Sequence, residues 1–161
     1  MIISNETEAD EAAIRAVIAD AFGQDQEATL VDDLRKDGDF IVSLIAKDAG
    51  LLCGHVALSR MKSPANAVGL APVSVLRSRQ RGGIGSALIR QALIRARELG
   101  FDIAFVLGEP AYYSRFGFSP EVAACFRCSY AGPYFMAMWL ADVHGHAVEA
   151  EAIYAKAFDR L

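Results

Sequence analysis

The stretch Gln80-Arg81-Gly82-Gly83-Ile84-Gly85-Ser86 has residue types suited to one task, bringing bare backbone amides up to phosphate oxygens. Glycines at 82, 83 and 85 remove the Cβ atoms that would hold an anion away. The amphipathic helix expected next would aim its unpaired N–H groups and positive dipole end at the same point. The chemistry implied is capture of a pyrophosphate. A Walker loop ends in Gly-Lys-Ser/Thr, whereas this one continues Gly85-Ser86-Ala87-Leu88 without a lysine, so that class is excluded. A dinucleotide fingerprint would need a third glycine where Leu88 stands, and a βαβ unit that the preceding segments do not form.

A second segment able to do chemistry is Gly108-Glu109-Pro110-Ala111-Tyr112-Tyr113-Ser114-Arg115-Phe116-Gly117-Phe118, which places two phenols just ahead of a Gly-Phe pair. The spacing Gln-x-x-Gly-x-Gly at Gln80, Gly83 and Gly85, followed by a tyrosine four residues before Gly117-Phe118, resembles the paired signatures of the Gcn5-related N-acetyltransferase (GNAT) superfamily. The wording Ala-Tyr-Tyr-x-Arg-Phe-Gly-Phe is similar to that of a YhbS-like bacterial subgroup, and the resemblance covers roughly residues 1 to 140. It implies acetyl-CoA as cosubstrate, its pyrophosphate held by Gln80, Arg81, Gly82, Gly83, Ile84, Gly85 and Ser86, and its pantetheine arm along Val73, Ser74 and Val75.

The same resemblance implies an N-acetyltransferase whose acceptor is a small-molecule or peptide amine, attacking directly within a ternary complex. Tyr113 stands where the family's general acid stands, with Tyr112 as the alternate. Histone-type members carry a glutamate partway along the strand before the phosphate loop, and here Gly69 occupies roughly that place. Glu109 is therefore one candidate base and a water chain the other. A non-catalytic acyl-CoA sensor or interaction domain is the alternative reading. It would keep Gln80 to Ser86 and have no need of Tyr113.

These residues need elements to position them. Thr7-Glu8-Ala9-Asp10 has the form of a capping box, and Ile14, Val17, Ile18 and Ala21 repeat at helical spacing until Gly23. A second helix over residues 26–36 carries Leu30, Val31 and Leu34 on one side, and by the resemblance both helices frame the acceptor pocket. Residues 40–46 and 51–60 read as a hairpin in which Leu52, Val56 and Leu58 share one face and Cys53, His55, Ala57 and Ser59 the other. His55 is then a catalytic-face residue or a satisfied sheet histidine. Residues 68–76 form the strand delivering the phosphate loop, and Pro72 within it demands a bulge or a parting from a neighbour.

A helix over residues 84–99 burying Ala87, Leu88 and Ile94, a strand over 103–107 and a short helix over 111–115 follow. Strands are expected over 122–130 and 134–140, and helix or strand over 147–161. The order gives an α/β (α+β) fold: a mixed, mostly antiparallel sheet of about seven strands, with helices on both faces and a splayed central strand pair.

Composition bounds the rest. At 161 residues the chain is expected to be a single domain, residues 1–161. It has no apolar run of membrane-spanning length and no signal-peptide pattern at its start, so the expectation is a cytoplasmic protein with no membrane partner. Three cysteines, an odd number, imply free thiols. Cys125 and Cys128 with His144 and His146 invite a zinc reading, but His-x-His is tighter than the usual ligand gap and a core of this size needs no metal. Net charge is −4, yet the first 39 residues hold eleven acids against three bases, while the eight basic residues between Ala49 and Arg97 meet no carboxylate. A basic middle suits a phosphorylated coenzyme and an acidic front end suits a cationic acceptor, though solvated helix faces would read the same way. Arg77 and Arg79 could supply field or bind a 3′-phosphate. Nucleic-acid binding is not expected of an acidic chain with its bases around one loop, and a homodimer is the commonest oligomer open to it.

Overall fold

The computed structural model of the chain describes residues 1–142 and 150–161. Its frame is a six-stranded sheet in the order β1 (Ile2–Asn5), β2 (Phe40–Asp48), β3 (Leu51–Arg60), β4 (Ala67–Val75), β5 (Ile103–Leu107) and β7 (Phe135–Trp139). Within this sheet, among the described residues, only the β4–β5 pair is parallel. The sheet has six strands where the sequence suggested about seven. Residues 122–130 do not join it: they hold the end of α5 (Pro120–Ala123) and β6 (Phe126–Arg127), which pairs with β8 (Ala150–Glu151) in a separate two-stranded ribbon. Ser119 accepts from the amides of Glu121 and Val122, and Pro120 follows at the first helical position, so the cap starts a helix where apolar content alone suggested a strand. The segment after β8 ends in a 3-10 helix, Lys156–Arg160.

Helices cover both faces. On one lies α3 (Ile84–Glu98), whose stripe Leu88, Ile89, Ala92, Leu93 and Ala96 packs on Val42, Leu44, Val56 and Leu58. Ile94, expected in that stripe, is 48% exposed because it falls a third of a turn outside it. On the other face lie α1 (Glu11–Phe22) and α2 (Gln26–Asp37), ended by Gly23 and Gly38 with φ of 70° and 75°, a conformation that only glycine adopts cheaply. The cap expected at Thr7 forms: Asp10 accepts from the Thr7 amide at 2.8 Å, closing a 3-10 turn that leads into α1. A register shift in β3 opposite Ala46 and Lys47 skips Cys53. The bulge sends Cys53 to the α3 side with Val56 and Leu58 and turns Leu52 toward α1, which reverses the simple alternation at that end of the strand.

Beneath α1 and α2 runs a buried polar stripe. The Ser43 hydroxyl donates to Glu6, so it accepts from His55 Nε2 at 2.9 Å, and Arg35 Nε closes on Glu6 at 3.0 Å. His55 is 0% exposed and belongs to the sheet. Burial pushes its pKa down, and Glu6 only partly offsets that. Burial works to raise the Glu6 carboxyl, but hydrogen bonds from His55, Arg35 and Ser43 and the Arg35 charge outweigh it and hold the group at about 2.

Candidate functional site

The parting expected at Pro72 is present on both sides of β4. Toward β3 the register slips between the Val56–Val73 and Leu58–Leu70 pairs, and toward β5 the ladder runs only from Ala67–Ile103 to Gly69–Phe105. Beyond Gly69 the two strands diverge, and β5 pairs on its other side with β7 as far as Leu107. The Leu76 amide donates to Cys53 at 2.9 Å. By strand alternation Ser74 then also turns its peptide groups toward β3, while Val73 and Val75 turn theirs into the gap. Gln80 Nε2 reaches the Val75 carbonyl there at 3.1 Å, which ties the following turn to the strand.

A 3-10 turn, Arg77–Arg79, leads into the glycine loop, where Arg81 and Gly83 sit at φ of 66° and 87°. Left-handed residues on either side of Gly82 curl the turn and set its amides around a concave nest. Gly83 is the N-cap of α3 and no side chain caps the helix. The first intrahelical bond is Ala87 to Gly83 at 3.0 Å, so the amides of Ile84, Gly85 and Ser86 precede it and point outward at the positive end of the helix. An anion placed there meets several donors at once.

A cavity of about 790 Å³ joins the gap to this nest. Of the residues singled out from sequence, Val73, Val75, Gln80, Arg81, Gly83, Ile84, Gly85, Ser86 and Tyr112 line it. Ser74 and Gly82 do not: Ser74 is 1% exposed on the His55 side of the sheet, and Gly82 faces outward beside the Arg79 carbonyl. Arg79 lines the cavity and pairs with Asp48 at 2.7 Å, whereas the Arg77 guanidinium packs against Gly23 at the end of α1.

The two tyrosines part company. Tyr112 leans over the start of α3, its hydroxyl 3.3 Å from where a Cβ on Gly85 would stand. Tyr113 lines a second cavity of about 400 Å³, which meets the first at Phe22 and Val73. They are the last two residues of the short helix α4 (Pro110–Tyr113), where side chains one residue apart point about 100° apart, and that turn divides them between the cavities. Burial, then the neighbouring Tyr112, pushes the Tyr113 phenol up to about 12. Glu109 is the exposed N-cap of α4 and lines neither cavity.

Residues 8–118 match the sequence pattern of the acetyltransferase (GNAT) family. The chain belongs to that family. Over its full length it is 34% identical to the uncharacterised N-acetyltransferase YhbS of Escherichia coli K12, whose full length is also covered. The crystal structure of E. coli YhbS, a complex with CoA, superposes with a TM-score of 0.91 at 33% identity, covering 99% of this chain and 92% of that one. A GNAT acetyltransferase of Brucella melitensis, solved with acetyl-CoA, gives 0.83 at 32% identity over 98% and 97%. By family the protein is an acetyltransferase.

Sequence reasoning missed Arg115, Phe22, Glu27 and Tyr154. Arg115 lies over the Tyr112 ring at 4.3 Å and lines the first cavity. Its spacing of three from Tyr112 on a helical segment was the available signal. Tyr154 lies against Gly69, where an added Cβ would come within 2.7 Å of Tyr154 Cε1. The ring thus occupies the space that a side chain at residue 69 would need, which accounts physically for the glycine there. Among the described residues no cluster of three or more His, Cys, Asp or Glu could hold a metal ion. His144 and His146, weighed as zinc ligands above, lie outside the described residues.

Proposed function

We propose that this single-domain protein transfers the acetyl group of acetyl-CoA to a primary amine, by direct attack in a ternary complex. The observation that carries the reading is the continuity of one cavity from the unpaired edge of β4 to the uncapped start of α3. The amides of Gly83, Ile84, Gly85 and Ser86 would hold the pyrophosphate, with Arg79, Arg81 and Arg115 adding charge and Gly82 leaving room. The pantetheine arm would add to β4 like a strand, using the peptide groups of Val73 and Val75 with Ser74 fixing their direction. A β4 amide near Val75 would polarise the thioester carbonyl.

The amine nitrogen forms its bond to that carbonyl carbon, the tetrahedral intermediate expels the thiolate, and the C–S bond breaks. Tyr113, with Tyr112 as alternate, would donate a hydrogen bond to the departing thiolate, and water would complete its protonation. A phenol at about 12 stays protonated, and handing its proton to a thiolate whose acid has a pKa of about 8.5 is uphill by roughly 5 kcal/mol, so Tyr113 acts chiefly by hydrogen bonding as charge develops on sulfur. Glu109 stands outside both cavities, so the amine's proton is assigned to water entering the second one. Among the described residues no helix is long and apolar enough to cross a membrane, and a cytoplasmic setting, where acetyl-CoA is made, suits the reading.

The test is thiol release from acetyl-CoA in the presence of an amine panel, with binding followed by calorimetry. Amine-dependent release that Tyr113→Phe lowers about a hundredfold is expected. Tight binding without amine-dependent release would leave a sensor. Absence of any heat with acetyl-CoA would remove the donor assignment altogether.

A further inference from the structure

Resting on the acetyl-transfer reading, we propose that the second cavity takes a primary amine carried on one compact apolar or aromatic body, an arylalkylamine rather than a polyamine or an aminosugar. Size favours a small acceptor, because about 400 Å³ lies near the lower end of the roughly 300–1,000 Å³ typical of small-molecule sites. Charge favours a cation. Glu27 is the only charged side chain among the described residues lining this cavity, while the first is lined by Arg79, Arg81 and Arg115 with no carboxylate. The two cavities meet at Phe22 and Val73, so fields of opposite sign adjoin where donor and acceptor must react. The Glu27 carboxylate is already oriented by Gln24 Nε2, at 2.7 and 3.1 Å from its two oxygens.

The walls favour a single charge on an apolar body. Apart from Gln26 and Glu27 the lining is apolar or aromatic, with Leu30, Leu70 and Pro72 facing the rings of Tyr113, Tyr130 and Tyr154. Further ammonium groups or a ring of hydroxyls would lose water there without gaining partners, each unpaired group weakening binding roughly tenfold or more. A flat ring gains offset or edge contacts with the tyrosines. Tyr154 adds a ring to the wall and no polar group. It is 5% exposed, packs edge-on to Tyr130 at 5.8 Å, and its hydroxyl has no partner among the described residues. That hydroxyl is sealed from the cavity, so what Tyr154 offers an acceptor is aromatic surface.

The experiment is steady-state thiol release by the full chain with acetyl-CoA and, in turn, phenethylamine, tyramine, spermidine, kanamycin and a lysine-bearing peptide. Both arylalkylamines should exceed spermidine in kcat/KM by about a hundredfold or more. Glu27→Gln should raise KM for them about tenfold, a larger change than in kcat. Tyr154→Leu should raise KM for both arylalkylamines about fivefold with kcat little changed, while Tyr154→Phe, which keeps the ring, should leave both within about twofold. Spermidine, kanamycin or the peptide matching the arylalkylamines would overturn the proposal, as would binding of acetyl-CoA with no arylalkylamine turned over. If those other acceptors are acetylated and Tyr113→Phe abolishes it, the acetyl-transfer reading stands and this one falls; if acetyl-CoA gives no heat, both fall.

Discussion

Gly108→Ala changes a residue that lines neither cavity yet must move the tyrosine assigned to the leaving group. A Cβ on Gly108 would stand 2.7 Å from Tyr113 Cδ2 and 3.2 Å from Cζ, and closer still to Cε2. Ordinary contact begins near 3.4 Å, and a half-buried ring edged by Tyr112 at 5.0 Å and Phe118 at 6.0 Å has to retreat by about 1 Å to restore it. A displacement of that size between a hydrogen-bond donor and its sulfur costs on the order of a hundredfold in turnover. Overpacking of this kind destabilises by about 1–3 kcal/mol, which for a chain of this size lowers Tm by roughly 2–10 °C and leaves the protein folded at assay temperature. The phosphate nest lies on another element, so the Kd for acetyl-CoA should change by less than about threefold. Thiol release read with calorimetry and thermal melts separates these terms. A kcat within about threefold of wild type, in a variant whose crystal structure keeps the new methyl group, would refute the placement of Tyr113 at the reacting sulfur.

Other outcomes follow from the same geometry. Gly83→Val puts a β-branched residue at φ 87° and should weaken acetyl-CoA binding tenfold or more by calorimetry, about 1.4 kcal/mol or above, with far-UV circular dichroism unchanged. Acetyl-CoA affinity should fall as salt rises if Arg79, Arg81 and Arg115, which line the first cavity, act on its phosphates through partly solvated space, and a titration at low and high ionic strength checks it. Glu6 and His55 both hold protons less readily folded than unfolded, so their contribution is complete above about pH 6.5 and lost as pH falls. Between pH 4.5 and about 2 the Glu6 share is about 2 kcal/mol after discounting for solvent screening, and denaturant melts across that window should show Glu6→Gln losing correspondingly less.

The glycine turn and the uncapped start of α3 were legible because their chemistry is local: glycines, a helix start and the absence of lysine lie within seven residues, and no distant packing is needed to interpret them. Pro72 was legible for a similar reason, since a missing N–H disrupts a ladder whatever the partner strand. The face of Cys53 and Leu52 was not, because a bulge depends on the register with β2 and shifts the alternation that periodicity assumes. The division of Tyr112 and Tyr113 between two cavities was equally hidden. Both were candidates for one role, and only the turn of α4 above the gap separates them.

From residue types alone came the glycine loop at a helix start, the pair of phenols, the parting at Pro72 and the opposed charge of the front and middle of the chain. Those depend on backbone chemistry and on charges that remain wherever the chain folds. Tertiary structure alone decided that Tyr154 lies over Gly69, that Glu27 lines the second cavity, and that the two cavities meet at Val73. Each of those joins segments tens of residues apart, and their meeting is set by how the helices and the C-terminal segment pack onto one twisted sheet, which no local pattern encodes.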